Sequence, residues 1–148
     1  MSDSTMNPTL PAADPESSEF PMPRILLVDD SSTVRIFVSG ILSRAGYKIL
    51  AADTARSGLQ LFAAHRPDVV LLDVGLPDAE PAQTIEQMRA CTVNDDRDAT
   101  ILLYSGEPAT LLQQLQADIG ADGWVTKNHD AEGLLQRLER TLLARRPS

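Results

Sequence analysis

The 148-residue chain is long enough for one domain with one core of moderate size, since 43% of its residues are hydrophobic and 23% are charged. Its formal net charge of -8 argues against binding to a nucleic-acid backbone, which requires Lys and Arg side chains that neutralise phosphates. The single cysteine, Cys91, excludes an intramolecular disulfide, and no apolar run approaches the roughly 18 residues that span a bilayer. The composition therefore predicts a cytoplasmic protein that contacts neither nucleic acid nor membrane directly.

The chain begins with a segment that differs in composition from the rest. Residues 1–23 are rich in proline, contain acidic residues but no Lys or Arg, and offer few side chains that could build a core. We expect residues 1–23 to be a disordered tail and residues 24–146 to be the folded domain.

The first strand and helix follow this tail. Arg24 to Val28 is an apolar run that stops at Asp29 and Asp30, which predicts a buried strand ending in carboxylates. An amphipathic pattern that includes Phe37 then predicts a helix that ends at Gly46. Two serines can cap this helix: Ser31 or Ser32.

The second strand and helix lead into the stretch that carries most of the functional information. Lys48 to Ala52 predicts a weaker strand, and Thr54 caps a helix that Arg66 and Pro67 stop. The next apolar residues are mostly β-branched or leucine and end abruptly at Asp73, which predicts a strand buried on both faces with a carboxylate at its carboxyl end.

Two further strands end in polar side chains. Pro81 opens a short helix, after which Ile101 to Tyr104 predicts a fourth strand that ends at Ser105. After another helix, Gly123 to Thr126 predicts the fifth strand, which ends at Lys127 and precedes a closing helix. Five strands alternating with five helices through short links predict a doubly wound α/β fold, with a parallel sheet and helices on both faces.

Polar residues at the carboxyl ends of parallel strands meet at one edge of the sheet, where ligands bind in this class of fold. The residues predicted at that edge are Asp29, Asp30, Asp73, Ser105 and Lys127. Carboxylates about 4 Å apart repel by about 4 kcal/mol per pair at an effective dielectric of 20, so a cation must neutralise them. Mg²⁺ suits one or two carboxylates that share it with waters and a phosphate, and it leaves a carboxylate free to act as a nucleophile.

These segments resemble the receiver domain of two-component response regulators. The resemblance is carried by Leu27-Val28-Asp29-Asp30-Ser31, Leu72-Asp73-Val74-Gly75-Leu76-Pro77, the strand end at Ser105 and Trp124-Val125-Thr126-Lys127. It covers about residues 24–144 and implies a flavodoxin-like sheet with strand order 2-1-3-4-5. It further implies a phosphoprotein of a two-component phosphorelay, similar to the stand-alone, chemotaxis-type single-domain regulators, that is not an enzyme beyond its own phosphorylation and dephosphorylation.

The resemblance also implies a role for each motif residue. Asp73 accepts a phosphoryl group from a histidine kinase or phosphotransfer protein, and the chain signals by binding a downstream protein. Lys127 pairs with the phosphoryl oxygens, Ser105 moves to bind them, and Trp124 follows as the second switch residue. A Mg²⁺ site is implied at Asp29, Asp30, Asp73 and the backbone carbonyl of Gly75.

Two positions depart from the family pattern. Pro81 stands where receivers usually have a glycine, and proline's fixed negative φ predicts a different path for the loop before it. Asn128 replaces the usual proline after the lysine, where receivers normally have a cis peptide bond.

Two alternatives remain at this stage. The departures at Pro81 and Asn128 favour a receiver-like scaffold or adaptor that binds its partner without phosphorylation. A haloacid-dehalogenase-like phosphatase with Asp73 as its nucleophile is less favoured, because that family requires a second Asp where this chain has Gly75.

Overall fold

The computed structural model of the chain describes residues 22–92, 99–128 and 130–144. Most of the expected tail, residues 1–21, lies outside the described residues, as do residues 145–146 of the expected domain. The boundaries of tail and domain therefore stay predictions. No helix in the described parts of the chain is both long enough and apolar enough to cross a membrane.

Five strands and five helices alternate along the described residues, as the sequence predicts. The strands are β1 (Arg24–Val28), β2 (Lys48–Ala52), β3 (Val69–Asp73), β4 (Thr100–Ser105) and β5 (Gly123–Thr126). The helices are α1 (Ser32–Arg44), α2 (Ala55–His65), α3 (Pro81–Cys91), α4 (Ala109–Ile119) and α5 (Ala131–Ala144).

The strands form one sheet in the order β2-β1-β3-β4-β5, and every pairing is parallel. In the register of the sheet, Val28 of β1 lies beside Leu72 of β3, and Asp73 lies beside Tyr104 of β4. This confirms the flavodoxin-like, doubly wound fold. Strand β3 lies at the centre, and its carboxyl end is therefore surrounded by the ends of β1 and β4.

The two faces of the sheet build two hydrophobic clusters. One face packs against α1 and α5, chiefly through Val38, Ile41, Leu42, Leu134 and Leu138. The other face packs against α2, α3 and α4, with Phe62, Ile85 and Met88 fully or almost fully buried. All five residues of β3 are buried, because a central parallel strand is covered on both sides.

Short polar contacts begin and end the helices. The Ser31 side chain accepts a hydrogen bond from the Val34 backbone N–H at 3.2 Å, so Ser31 rather than Ser32 caps α1. Thr54 and Ser57 form a reciprocal capping box at the start of α2. After α1 and at the end of α4, Gly46 and Gly120 have φ values of 97° and 89°, the left-handed region in which glycine carries no steric penalty.

The apolar stripe predicted for α1 is wider than the face that the helix buries. Phe37 is 51% exposed, whereas the next residue, Val38, is fully buried. Successive residues of an α-helix lie about 100° apart around its axis, so a face centred on Val38 and Leu42 leaves Phe37 at its margin. The hydrophobicity of Phe37 alone does not indicate that it is exposed.

Candidate functional site

Three carboxylates meet at the carboxyl edge of the sheet. Asp29 directly follows β1, Asp30 follows it, and Asp73 is the last residue of the neighbouring strand β3. Carboxylate oxygens of all three lie within 4.8 Å of one another. Asp29 is completely buried, Asp73 is 8% exposed, and Asp30 is exposed to solvent. The structure therefore brings together the three acidic residues that the strand ends predict.

Lys127 reaches the same carboxylates from β5, two strands away from β3. Its ammonium nitrogen lies 2.6 Å from Asp29 Oδ2 and 3.5 Å from Asp73 Oδ1. The backbone N–H of Lys127 donates to the Ser105 carbonyl at 2.8 Å, which continues the pairing of β5 with β4 and fixes the start of the lysine side chain. Lys127 thus pairs with two of the three carboxylates, and its single positive charge does not neutralise all three.

The two oxygens of Asp29 have different surroundings. Oδ1 accepts a hydrogen bond from the Ser31 backbone N–H at 2.9 Å. Oδ2 is buried and accepts no hydrogen bond of acceptable geometry from the described residues, although the Lys127 ammonium lies within ion-pair distance of it. A buried carboxylate oxygen without a complete set of partners is costly, and a hard divalent cation is the ligand that suits such an oxygen.

The pKa of Asp73 is raised, and burial is the largest cause. Burial raises the pKa of Asp73, and the negative charge of Asp29 raises it further. The positive charge of Lys127 lowers it, as does the Gly75 backbone N–H, which donates to Asp73 Oδ1 at 3.3 Å. Because the raising effects prevail, the pocket stabilises Asp73⁻ less than water does, and a bound cation would correct this deficit.

Among the described residues, no hydrogen bond, ion pair or ring contact joins Ser105 or Trp124 to the three carboxylates. Ser105 is buried at the end of β4, where its hydroxyl accepts the Glu107 backbone N–H at 3.2 Å. Trp124 is half-buried against the cluster on the α2, α3 and α4 face, and the Arg137 guanidinium lies 5.8 Å from its ring centroid. Trp124 belongs to the opposite face of the sheet from the cluster beside α1 and α5, and alternation along β4 puts Ser105, the neighbour of Tyr104, on that opposite face as well.

Tyr104 is a residue of this site that sequence reasoning misses. Its ring centroid lies 5.6 Å from the Lys127 ammonium nitrogen. Burial and, to a lesser degree, the negative charge of Asp29 together raise the pKa of Tyr104 to about 12, so the phenol is neutral at physiological pH. In the sequence, the only indication of a role for Tyr104 is its position directly before Ser105. In the sheet, Tyr104 is the register partner of Asp73.

Asp78 is the second residue that lacked a sequence-based role. Its two carboxylate oxygens accept the backbone N–H groups of Ala55 and Arg56, at 3.0 Å and 3.1 Å, at the start of α2. The Ala55 N–H contributes most to holding the pKa of Asp78 below its usual range, and the Arg56 N–H adds to it. Asp78 thereby anchors the loop after β3 to a helix that is distant in sequence.

The two departures from the family pattern have simple structural outcomes. Pro81 is the first residue of α3, where its missing N–H removes no helical hydrogen bond, and the preceding Glu80 is extended with φ of -76°. The described residues contain no cis peptide bond, so the peptide between Lys127 and Asn128 is trans. Neither departure prevents the four charged groups from meeting.

Comparisons with known proteins agree with this geometry. Residues 25–139 match the family described as the response regulator receiver domain. The chain is 36% identical over 122 residues to the response regulator MprA of Mycolicibacterium vanbaalenii, an alignment that covers 82% of this chain and 51% of MprA. It is 26% identical over 122 residues to the chemotaxis protein CheY of Bacillus subtilis, covering 80% of this chain and 97% of CheY.

Solved structures give the same assignment. The chemotaxis response regulator CheY4 of Vibrio cholerae superposes with a TM-score of 0.69 at 30% sequence identity, covering 80% of this chain and 98% of CheY4. The chain spans about half the length of several curated relatives that it matches, including MprA and the transcriptional regulatory protein CseB of Streptomyces coelicolor.

The family assignment also decides between a receiver domain and the phosphatase alternative. Receiver domains are non-enzymatic modules of two-component signal transduction that pair with histidine kinases, so the phosphatase alternative is wrong. The parallel sheet, with its acidic edge and the lysine after β5, agrees with the family match over residues 25–139. We conclude that this chain belongs to the response regulator receiver domain family.

Proposed function

We propose that the chain is a phosphorylation-dependent receiver in which Asp73 accepts the phosphoryl group. One observation carries the proposal: Asp73 ends the central strand, 8% exposed, with Lys127 at 3.5 Å and two further carboxylates within 4.8 Å. A structural carboxylate would gain nothing from two other acids at this distance. A nucleophile that shares a site with a divalent cation requires such an arrangement.

The reaction follows from the chemistry of the pocket. A carboxylate oxygen of Asp73 attacks the phosphorus of a phosphohistidine on a histidine kinase or phosphotransfer protein. The P–O bond forms as the P–N bond breaks. The leaving imidazole nitrogen keeps the electron pair of that bond and takes up a proton from solvent. Lys127, already within ion-pair distance of Asp73, offsets the charge of the phosphoryl oxygens on the product.

The residues present fit a Mg²⁺ ion. Asp29, Asp30 and Asp73 supply oxygen ligands, and we assign the backbone carbonyl of Gly75 as the fourth protein oxygen. When bound, the ion neutralises the carboxylates and polarises the phosphoryl group. Trp124, the only tryptophan, lies on β5, which directly precedes Lys127, so its fluorescence should report the titration.

The magnesium assignment has its own test. Titration of the full chain with Mg²⁺ should change Trp124 fluorescence and release or absorb heat in a calorimeter. Asp30→Ala should weaken binding, whereas Asp53→Ala removes an exposed acid of another loop and should leave affinity unchanged. A flat fluorescence titration together with no measurable heat would remove the cation from the proposal.

Phosphorylation is tested directly by mass. Incubation of the full chain with acetyl phosphate and Mg²⁺ should add the mass of one phosphoryl group, and Asp73→Asn should abolish the adduct. Asp118→Asn removes an exposed carboxylate of α4 and is the matched control, which should still be phosphorylated. Absence of an adduct on the wild-type chain, while Mg²⁺ binds, would favour the phosphorylation-independent scaffold.

The proposed switch involves Ser105 and Trp124. Taking a two-state protein from almost inactive to almost active requires about 5.5 kcal/mol of preference for the active state. A charged hydrogen bond supplies roughly 1.5–3 kcal/mol, so the Lys127 pair and the Ser105 hydroxyl together supply only part of the requirement. We therefore expect graded activation, in which binding of Mg²⁺ and of the downstream protein completes the shift.

The switch residues can be separated by their variants. Ser105→Ala should still be phosphorylated but should bind the downstream protein less tightly. Lys127→Ala should be phosphorylated yet largely uncoupled from that binding. Co-purification with wild type and Asp73→Asn identifies the downstream protein first, and its affinity for each variant is then measured with and without a phosphoryl analogue. Equal affinity in every state would make the chain a constitutive scaffold.

We further propose that the partners are proteins and that the chain acts in the cytoplasm. The net charge of -8 supports a protein rather than nucleic acid as the direct partner.

A further inference from the structure

The Lys127 ammonium lies near an aromatic ring as well as two carboxylates. Asp29 and Asp73 lie at 2.6 Å and 3.5 Å, and the ring is that of Tyr104, with its centroid at 5.6 Å. This separation is within the range of roughly 6 Å in which an aromatic ring attracts a cation. The lysine side chain is 23% exposed, so water competes for the same ammonium.

The sheet explains why Tyr104 is on the correct side. Tyr104 lies between Asp73 and Val125 in the register of the sheet, and laterally paired residues project to the same face. Tyr104 and Val125 both belong to the cluster beside α1 and α5. Lys127 follows Val125 by two residues and therefore starts from the same face. At 4% exposure, Tyr104 places a dry surface against the lysine.

We propose that Tyr104 is a positioning residue, whose ring holds the Lys127 ammonium against Asp29 and Asp73. A lysine side chain has four methylene groups, and an ammonium that makes only ion pairs with two acids can be drawn out by solvent. The buried ring limits this freedom and contributes an attraction that is stronger when it is desolvated. The consequence for the reaction rests on the proposed function of Lys127, whereas the contact itself does not.

The composition of the chain makes the contact measurable. Lys48 and Lys127 are the only lysines, so a sample labelled with ¹³C at lysine Cε gives two signals, and Lys48 is the internal reference. The face of an aromatic ring shields nearby protons. In the wild-type chain, the Lys127 εCH₂ protons should be shifted upfield of those of Lys48 and should show a nuclear Overhauser effect to the Tyr104 ring. This measurement needs no variant.

Two substitutions separate the ring from the hydroxyl. Tyr104→Phe keeps the ring and should retain the upfield shift and the wild-type rate of phosphorylation by acetyl phosphate. Tyr104→Leu removes the ring and should lose the shift. It should slow phosphorylation roughly 2- to 30-fold without abolishing it, the range from a partly exposed to a desolvated cation–π contact, because Lys127 assists the reaction but is not required for it. Leu103→Val is the control, because Leu103 is fully buried in the same strand on the opposite face.

Each result decides the inference. An unshifted Lys127 signal without an Overhauser effect in the wild type would overturn it, as would equal slowing by Tyr104→Phe and Tyr104→Leu, which would assign the effect to the hydroxyl. Equal slowing by Leu103→Val would attribute it to general damage of β4 and would also reject positioning. If the wild-type chain is not phosphorylated at all, the proposed function fails, and the two NMR measurements still test the contact.

Discussion

Replacing Gly58 with alanine tests how closely α2 must approach the sheet. A Cβ built on Gly58 would lie 2.8 Å from Val28 Cγ2 and 3.1 Å from Val28 Cγ1. Val28 is fully buried in β1 and directly precedes Asp29, so neither α2 nor Val28 can move without disturbing the core or the pocket. Overpacking of this kind costs roughly 1–3 kcal/mol, against a gain of about 0.5–1 kcal/mol for alanine in a helix interior.

We therefore expect Gly58→Ala to lower the free energy of unfolding by about 1 kcal/mol, with a range of roughly 0–2.5 kcal/mol from the balance of these terms. The matched control is Gly40→Ala in α1. There, the added Cβ would meet only Arg44 Nη2, the end of a flexible side chain, at 4.0 Å. This variant should gain about 0.4–1 kcal/mol. Urea unfolding of both variants measures the difference.

A double-mutant cycle with Val28→Ala locates the cause. Removing both Cγ atoms should abolish the cost of alanine at position 58, giving a favourable coupling of about 1–3 kcal/mol between the two sites. Because Val28 is adjacent to Asp29, Gly58→Ala should also weaken Mg²⁺ binding, whereas Gly40→Ala should not. If both glycine variants are equally stabilised, or if the coupling is zero, the close approach of α2 to β1 does not limit the fold.

Three further predictions concern charge and boundaries. Folding raises the pKa of Asp73 above its usual 3.8, so ionisation of Asp73 destabilises the folded state, and this destabilisation is absent below pH 3.8 and grows as the pH rises through the folded pKa. Asp73→Asn should therefore raise the melting temperature at pH 7, with a gain that shrinks on acidification. Folding lowers the pKa of Asp78, so Asp78→Ala should lower the melting temperature at pH 7, and the deficit should close as the pH falls below 3.8; an unchanged deficit at low pH would contradict the role of the charge. Deleting residues 1–21 should leave the melting temperature unchanged, whereas deletion through Pro23 should lower it, because the Pro23 carbonyl accepts the Lys48 N–H at 3.1 Å.

The fold class could be predicted from the sequence because its signals are local. Each strand is a short apolar run that ends at a polar residue, and each helix carries its own cap or stop, as Thr54 and Gly120 do. Alternation of such units admits few topologies, since parallel strands need right-handed helical crossovers. The edge at which Asp29, Asp73 and Lys127 meet follows from the parallel direction of the strands alone.

The side of the sheet on which each residue lies could not be predicted in the same way. A strand that is half-buried alternates apolar and polar residues, but β3 and most of β4 are apolar on both faces and carry no such alternation. The sequence therefore does not show that Tyr104 faces Lys127 while Ser105 faces away. The register of β4 against β3 and β5 decides this.

Contacts between segments that are distant along the chain also could not be predicted from the sequence. Asp78 reads as an ordinary loop acid, and its two hydrogen bonds to the start of α2 exist only because the order of β2, β1 and β3 brings these segments together. The exposure of Phe37 depends in the same way on how α1 is rotated against the sheet. Local patterns determine which elements form and what their ends carry, whereas orientation and long-range pairing depend on packing, in which each element is set by its neighbours.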